Sequence, residues 1–400
     1  MVRYWFDPVV MLHYRGDLEH AGRNSSRTEA DHWKDRSRIC MILLKLSRAS
    51  STKFYARVFL TFVVAVFTFS LQGASTESDG LQLTPQGDFL YSPQPNLRYP
   101  TCSGFDLLNH TETTLIDYMF LSTNIYKSME DQIQSLDQWF GPGVAKVDGS
   151  IIQDFKETLE VAPELDVNYE VVSFGNKETV IIIRGTSTPW EYLVDAEIWM
   201  PIFLLQTVQR FLPLGKLFDP ILSNVIKGMG FIKAEILTET SLYVQTMGLV
   251  NYIKQTPGFN QSSISITGHS LGGGIALITG AQTKIPAISF AGPNILFSRK
   301  SFKPVLDLDT INSLLFNVLP ERDIVSKIDK PGILTQQIAC TTDAKDFGGC
   351  HMPKNILCEL MYSCGSFNRP ILCDCVTKLG YPEPQQVSGN KSIAEVCGTT

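Results

Sequence analysis

Four hundred residues exceed what one small domain needs, and 44% apolar content is ordinary for a chain that buries a large core. The net charge of −6 hides an asymmetry: residues 1–75 hold 11 basic and 6 acidic residues, the remainder 23 and 34, a net of −11. An acidic body lacks the basic footprint that nucleic acid requires, so no nucleic-acid partner is expected.

From the N-terminus, residues 1–57 read as an extension ending in a basic flank. Within it, 1–40 carry no readable motif, and a start at Met41 would leave a short, purely basic leader, so 1–40 are read as a mis-assigned start. A cytosolic tail on an anchored protein is the other reading. No acidic residue lies between Asp35 and Glu77, while Lys45, Arg48, Lys53 and Arg57 precede the apolar run VFLTFVVAVFTFSL at 58–71. Gly73, Ala74 and Ser75 follow, so 58–75 have the order of a secretory signal peptide. Fourteen apolar residues are few for a span of about 20, which ranks an uncleaved type II anchor second.

Residues 76–100, rich in Ser, Gly, Pro and Gln, read as a linker, and 101–400 as one domain. Leu115, Met119, Phe120, Ile125 and Met129 recur at helical spacing within 112–134. Tyr169 to Phe174 and Thr179 to Ile183 flank Gly175-Asn176 and read as a hairpin, the second strand apolar throughout and so covered on both faces. Residues 197–226 are unusually apolar for a connection. They read either as a face that docks on lipid or as core-packed helix. A helix over 239–254, a strand at Ser263 to Thr267, a helix from Leu271, and strands at Pro286 to Phe290 and Leu314 to Leu319 complete an α/β rhythm with crossovers.

Nine cysteines are present, and eight follow the signal: Cys102, Cys340, Cys350, Cys358, Cys364, Cys373, Cys375 and Cys397. An even set beyond a signal predicts up to four disulfides of unassigned pairing, seven of the cysteines making a stapled tail from 340. A zinc site at Cys373, Cys375 and His351 is the competing reading, weakened because the sequence has no C-x-x-C pair. Sequons at Asn109, Asn260 and Asn390 fit an oxidising lumen, so the protein is expected to be a secreted or lumenal glycoprotein.

The stretch SITGHSLGGG, 265–274, holds a G-x-S-x-G. Such a pentapeptide arises by chance about 0.1 to 0.2 times in a chain this long, so its context decides. A strand runs into Gly268 and a helical sequence follows Gly274, which is the setting of a nucleophile elbow formed by Gly268, His269 and Gly272 around Ser270. Serine needs a base. His269 lies inside the elbow, pointing away from the base position, and His351 is the only histidine downstream of Ser270. Asp323 follows an apolar strand by a short turn and completes the order Ser, Asp, His of the α/β-hydrolases; Asp307, Asp309, Asp343 and Asp346 are its competitors. The backbone N–H of Leu271 and the N–H and hydroxyl of Thr186, after the strand ending at Arg184-Gly185, are the candidate oxyanion donors.

Taken together, IIIRGT followed by an aromatic stretch, GHSLGG, SFAGP, a strand-end Asp and a late His resemble the class 3 lipases, the fungal-type triacylglycerol lipase family, over about residues 110 to 360. The resemblance implies an α/β-hydrolase fold with a mostly parallel sheet, a helical lid insertion and here a disulfide-rich C-terminal segment. It matches Thr186 to the family's oxyanion Ser/Thr and assigns Trp190, Tyr192 and Asp195 to the lid. Lys227-Gly228-Met229-Gly230-Phe231 lacks the His usual before Gly-Phe, and Ile324 stands where Pro commonly follows the acid. The implied activity is lipid-ester hydrolysis through an acyl-enzyme on Ser270, acylglycerols being the expected substrates, at a lipid–water interface with transient membrane or lipid-droplet contact. It needs no metal or organic cofactor. A membrane-anchored lumenal phospholipase and a non-catalytic lipid-binding relative are the alternatives.

Overall fold

The computed structural model describes residues 81–94, 99–104, 113–159, 169–175, 177–185, 242–259, 262–343 and 348–398. All of these residues lie within 65–400. In chain order the elements are β1 (Phe89–Leu90), α1 (Thr101–Gly104), α2 (Leu115–Asn124), α3 (Met129–Phe140), β2 (Lys146–Val147), α4 (Gly149–Leu159), β3 (Tyr169–Phe174) and β4 (Glu178–Ile183). Then follow α5 (Leu242–Gln255), β5 (Ser263–His269), α6 (Leu271–Thr283), β6 (Ala287–Phe290), α7 (Leu308–Leu314), β7 (Leu315–Pro320) and β8 (Thr335–Ile338). The tail adds α8 (Pro353–Cys364), α9 (Cys373–Thr377), β9 (Gln385–Gln386) and α10 (Ile393–Cys397).

Seven strands form one sheet in the order β2-β3-β4-β5-β6-β7-β8, antiparallel from β2 to β4 and parallel from β4 to β8. The unbroken apolar run of β4 has its reason here, since every residue of the strand is buried. Val180 and Ile182 join the core under α2, α3 and α8, while Ile181 and Ile183 join the core under α4, α5 and α6. A mixed α/β architecture with a mostly parallel seven-stranded sheet and four disulfides fits the α/β-hydrolase fold.

Two expectations need correction. The helical recurrence over 112–134 belongs to two helices, because Thr114 caps α2 in a box with Asp117 and Ser128 caps α3 through the Asp131 N–H. Nor do the described residues of 76–100 behave as a linker. β1 pairs with β9, Leu83 bridges Leu372, and Leu81, Phe89, Tyr91 and Tyr99 are buried. Their apolar side chains outweigh the turn-rich composition around them. The signal or anchor run, Thr186, the lid residues Trp190, Tyr192 and Asp195, all of 197–226, and the sequons at Asn109 and Asn260 lie outside the described residues. Asn390 is exposed.

The disulfides are Cys102–Cys364, Cys340–Cys350, Cys358–Cys375 and Cys373–Cys397. They take up the thiols that the zinc reading required. Four disulfides place the chain in an oxidising environment, secreted or lumenal, and no described helix is long and apolar enough to cross a membrane. A second tie binds the tail to α2. The buried Asp117 accepts from Trp139 Nε1 at 2.7 Å and from Arg369 Nε at 2.8 Å.

Glu170 on β3 is buried, with Oε2 lacking a hydrogen-bond partner among the described residues. Burial pushes its carboxyl from an ordinary value near 4.5 up to about 7. Between these values the folded state holds the proton more tightly than the unfolded chain, so stability falls as pH rises through this window. Glu170→Gln is therefore expected to stabilise the protein by up to about 3 kcal/mol at pH 8 and by almost nothing at pH 4. Melting curves at the two pH values check this; equal shifts at both would contradict it.

Candidate active site

β5 carries the elbow. Ile266 packs into the core under α5 and α6, while Ser265 and Thr267 face α2 and meet Tyr118 Oη at 3.1 Å and Ser122 Oγ at 3.0 Å. The strand is thus clamped on both faces up to Gly268. Ser270 then takes φ 59° and ψ −127°, a conformation that an L-residue holds only when its surroundings enforce it, and α6 departs at Leu271. Its N–H donates to the Phe290 carbonyl at 2.9 Å, which fixes the turn to β6.

Glycines make the turn passable. A Cβ on Gly272 would strike the Ile183 carbonyl, and one on Gly268 would lie 2.5 Å from the Gly272 carbonyl carbon. Backbone on both sides leaves nothing to yield. Gly272→Ala is expected to destabilise the protein by about 3 kcal/mol or more, read from denaturant unfolding. A change below about 0.5 kcal/mol would show that the elbow is looser than this geometry.

His351 ends a short 3-10 turn, Gly349–His351, just before α8, and its Nε2 lies 2.7 Å from Ser270 Oγ. Its Nδ1 is 3.1 Å from Asp323 Oδ1, within reach of the carboxylate that would orient the ring. Asp323 follows β7 and is fully buried, accepting from the Val325 N–H at 3.0 Å, the Ser326 N–H at 3.2 Å and the Ser326 hydroxyl. Burial alone would raise its carboxyl, but His351 beside it and the Ser326 and Val325 donors together hold it below the ordinary range. Arg322 donates to the Cys340 and Thr342 carbonyls at 2.9 and 2.7 Å, tying the loop of the acid to the disulfide segment that leads to His351.

The structure therefore brings Ser270, His351 and Asp323 together from three separate segments, with Ser270 and His351 at 1% and 3% exposure. The competitors Asp307 and Asp309 lie elsewhere, Asp307 capping α7 and Asp309 in its first turn. Leu271 opens α6, where the first N–H groups of a helix have no intrahelical partner. Gly185, the last described residue before Thr186, passes so close to the elbow that a Cβ there would meet the Tyr126 hydroxyl and the His269 carbonyl.

Two residues at the site were not legible as part of it. Tyr126 follows α2, and its hydroxyl lies 3.2 Å from His269 Nδ1. Ser326 steadies Asp323. The first pairing spans 143 residues, and no local pattern announces it. His269 is not remote from the base either, as its Nε2 lies 2.7 Å from the His351 carbonyl oxygen. An arrangement of this kind can take a proton from a serine hydroxyl, hold the resulting imidazolium beside a carboxylate, and return the proton to a leaving group.

Residues 180–331 match the family model described as Lipase (class 3), a stretch that holds Ser270 and Asp323 but ends before His351. No curated protein matches the chain.

Proposed function

We propose, from the match of residues 180–331 to the class 3 lipase model, that the protein is a serine acylhydrolase that cleaves carboxylic esters of lipids, acylglycerols first among them. The observation that supports this reading is the 2.7 Å approach of His351 Nε2 to Ser270 Oγ, with Asp323 on the far nitrogen of the same ring. Ser270 Oγ attacks the ester carbonyl carbon as its proton passes to His351 Nε2. The oxyanion forms against the Leu271 N–H and the N–H and hydroxyl of Thr186. His351 then gives its proton to the departing alcohol oxygen, leaving Ser270 acylated. A water molecule repeats the sequence: His351 takes its proton, the hydroxide attacks the acyl carbon, and the fatty acid leaves as Ser270 recovers the proton.

On the resemblance to class 3 lipases, we propose that the segment 187–226 acts as a lid, with Trp190, Tyr192 and Asp195 in its hinged part. Its apolar stretch 197–226 is the face that would meet a lipid surface on opening. That face favours long-chain esters over small soluble ones. On the same reading, 58–75 direct the catalytic domain to the secretory route.

Hydrolysis of a matched panel (triolein, phosphatidylcholine, monoacylglycerol and a short-chain ester) by wild type and Ser270→Ala tests the proposal. Turnover above the variant, strongest on an acylglycerol presented as an emulsion, is expected. Preference for phosphatidylcholine would replace the acylglycerol assignment with phospholipase activity. Absence of turnover on all four would end the lipase reading.

A further inference from the structure

Three hydrogen bonds run in series past the back of the elbow. The Gly185 N–H donates to Tyr126 Oη at 3.1 Å, Tyr126 Oη lies 3.2 Å from His269 Nδ1, and His269 Nε2 lies 2.7 Å from the His351 carbonyl oxygen. A carbonyl only accepts, so His269 carries its proton on Nε2, and its bare Nδ1 accepts from the Tyr126 hydroxyl. The series joins segments far apart in the chain. One end is the residue before the oxyanion candidate Thr186, and the other is the backbone of the base.

We propose that His269 and Tyr126 are positioning residues, which lock the oxyanion loop and the His351 turn into one unit around Ser270. This inference rests on the hydrolase reading above. Neither side chain touches a reacting atom. Their service is geometric: Nε2 of His351 and the N–H groups after Gly185 must stand at fixed distances from the same serine oxygen, and misplacement by about 1 Å costs about 100-fold in rate.

The surroundings suit a fixed strut. His269 is buried and its ring packs 4.9 Å from that of His351 and 6.0 Å, edge to face, from that of Tyr126. The Arg184 guanidinium sits 5.4 Å over the Tyr126 ring. Burial first, and then the neighbouring His351 ring, pull the His269 pKa down to about 3, with the hydrogen bond to the His351 carbonyl and then Asp323 opposing only in part. The ring therefore stays neutral and keeps one tautomer across the working pH range, including the moment when His351 becomes cationic. A cationic residue at position 269 would oppose that imidazolium. A purely apolar one would leave the His351 carbonyl without its donor.

The test uses the full disulfide-bonded chain and a fluorophosphonate probe, with the maximal inactivation rate kinact and the half-saturation KI measured separately. Tyr126→Phe keeps the ring and deletes the hydroxyl, and its kinact is expected to fall about 10-fold. His269→Leu removes both links, and a fall of about 100-fold is expected. His269→Gln restores a donor near Nε2 and is expected to recover at least about 10-fold over His269→Leu. KI should stay within about twofold throughout, because positioning acts on the chemical step. Melting temperatures identify any variant that has lost its fold, and Tyr126→Phe then decides.

Wild-type kinact in Tyr126→Phe and His269→Leu would overturn the proposal and leave the hydrolase reading standing. So would a folded His269→Gln no faster than a folded His269→Leu, or an effect confined to KI. Failure of the wild type to label above Ser270→Ala would overturn the hydrolase reading itself, and this inference with it.

Discussion

Ser270→Ala is expected to lower ester hydrolysis by about five to six orders of magnitude, leaving only what oxyanion donors and binding provide. The size of the effect follows from the site's construction. Among the described residues, the hydroxyl placed 2.7 Å from His351 Nε2 is Ser270 Oγ, and the same residue holds the positive φ that sets its oxygen at the head of β5. Alanine tolerates that conformation no better and no worse than serine, so the fold persists. Ser270→Gly should be equally inactive and more stable by about 1 kcal/mol, since glycine adopts φ 59° without strain. Steady-state assays with melting curves on both variants measure the two halves of this expectation. Residual activity of the alanine variant above about 1% of wild type would move the nucleophile elsewhere.

Asp323→Asn is expected to lower kcat by about 10⁴-fold with little change in KM. Besides His351, Asp323 meets the N–H groups of Val325 and Ser326 and the Ser326 hydroxyl. An amide meets them with one oxygen and must aim its NH₂ either at these donors or at His351 Nδ1. Aimed at His351, it favours the tautomer that cannot accept the serine proton at Nε2. A stability signature accompanies the kinetic one. The folded pKa of Asp323 lies below its ordinary value, so its stabilisation is present above that value and is lost as pH falls through the folded pKa. Wild type should therefore lose stability on acidification more steeply than Asp323→Asn. A kcat within tenfold of wild type would assign the orienting role to another acid.

How much of this was legible follows from the range of each interaction. The elbow is local: strand, Gly268, Ser270, Gly272 and helix occupy consecutive residues, and their order alone gives the turn. Asp323 and His351 came from chain order and from the scarcity of histidines after Ser270, and they stand beside Ser270 in space. β4 announced itself because burial on both faces leaves no polar position in its apolar run. The pairing of cysteines was not legible, since spacing does not say which segments fold together. The packed segment 81–93 was masked by its turn-forming residues, because β1 gains its partner in β9 about 300 residues later. Tyr126 escaped for the same reason: it is an ordinary residue in its own segment, and the fold alone brings it to His269 of the elbow.

The bond between Cys102 and Cys364 closes a loop that contains Ser270, Asp323 and His351. A backbone cut at any one point from 103 to 363 opens that ring without dividing the molecule. Under non-reducing conditions the nucleophile, the acid and the base stay on one covalent body; adding a thiol turns the same nick into two fragments. In an oxidising compartment, damage and separation are thus different events, and the disulfide stands between them.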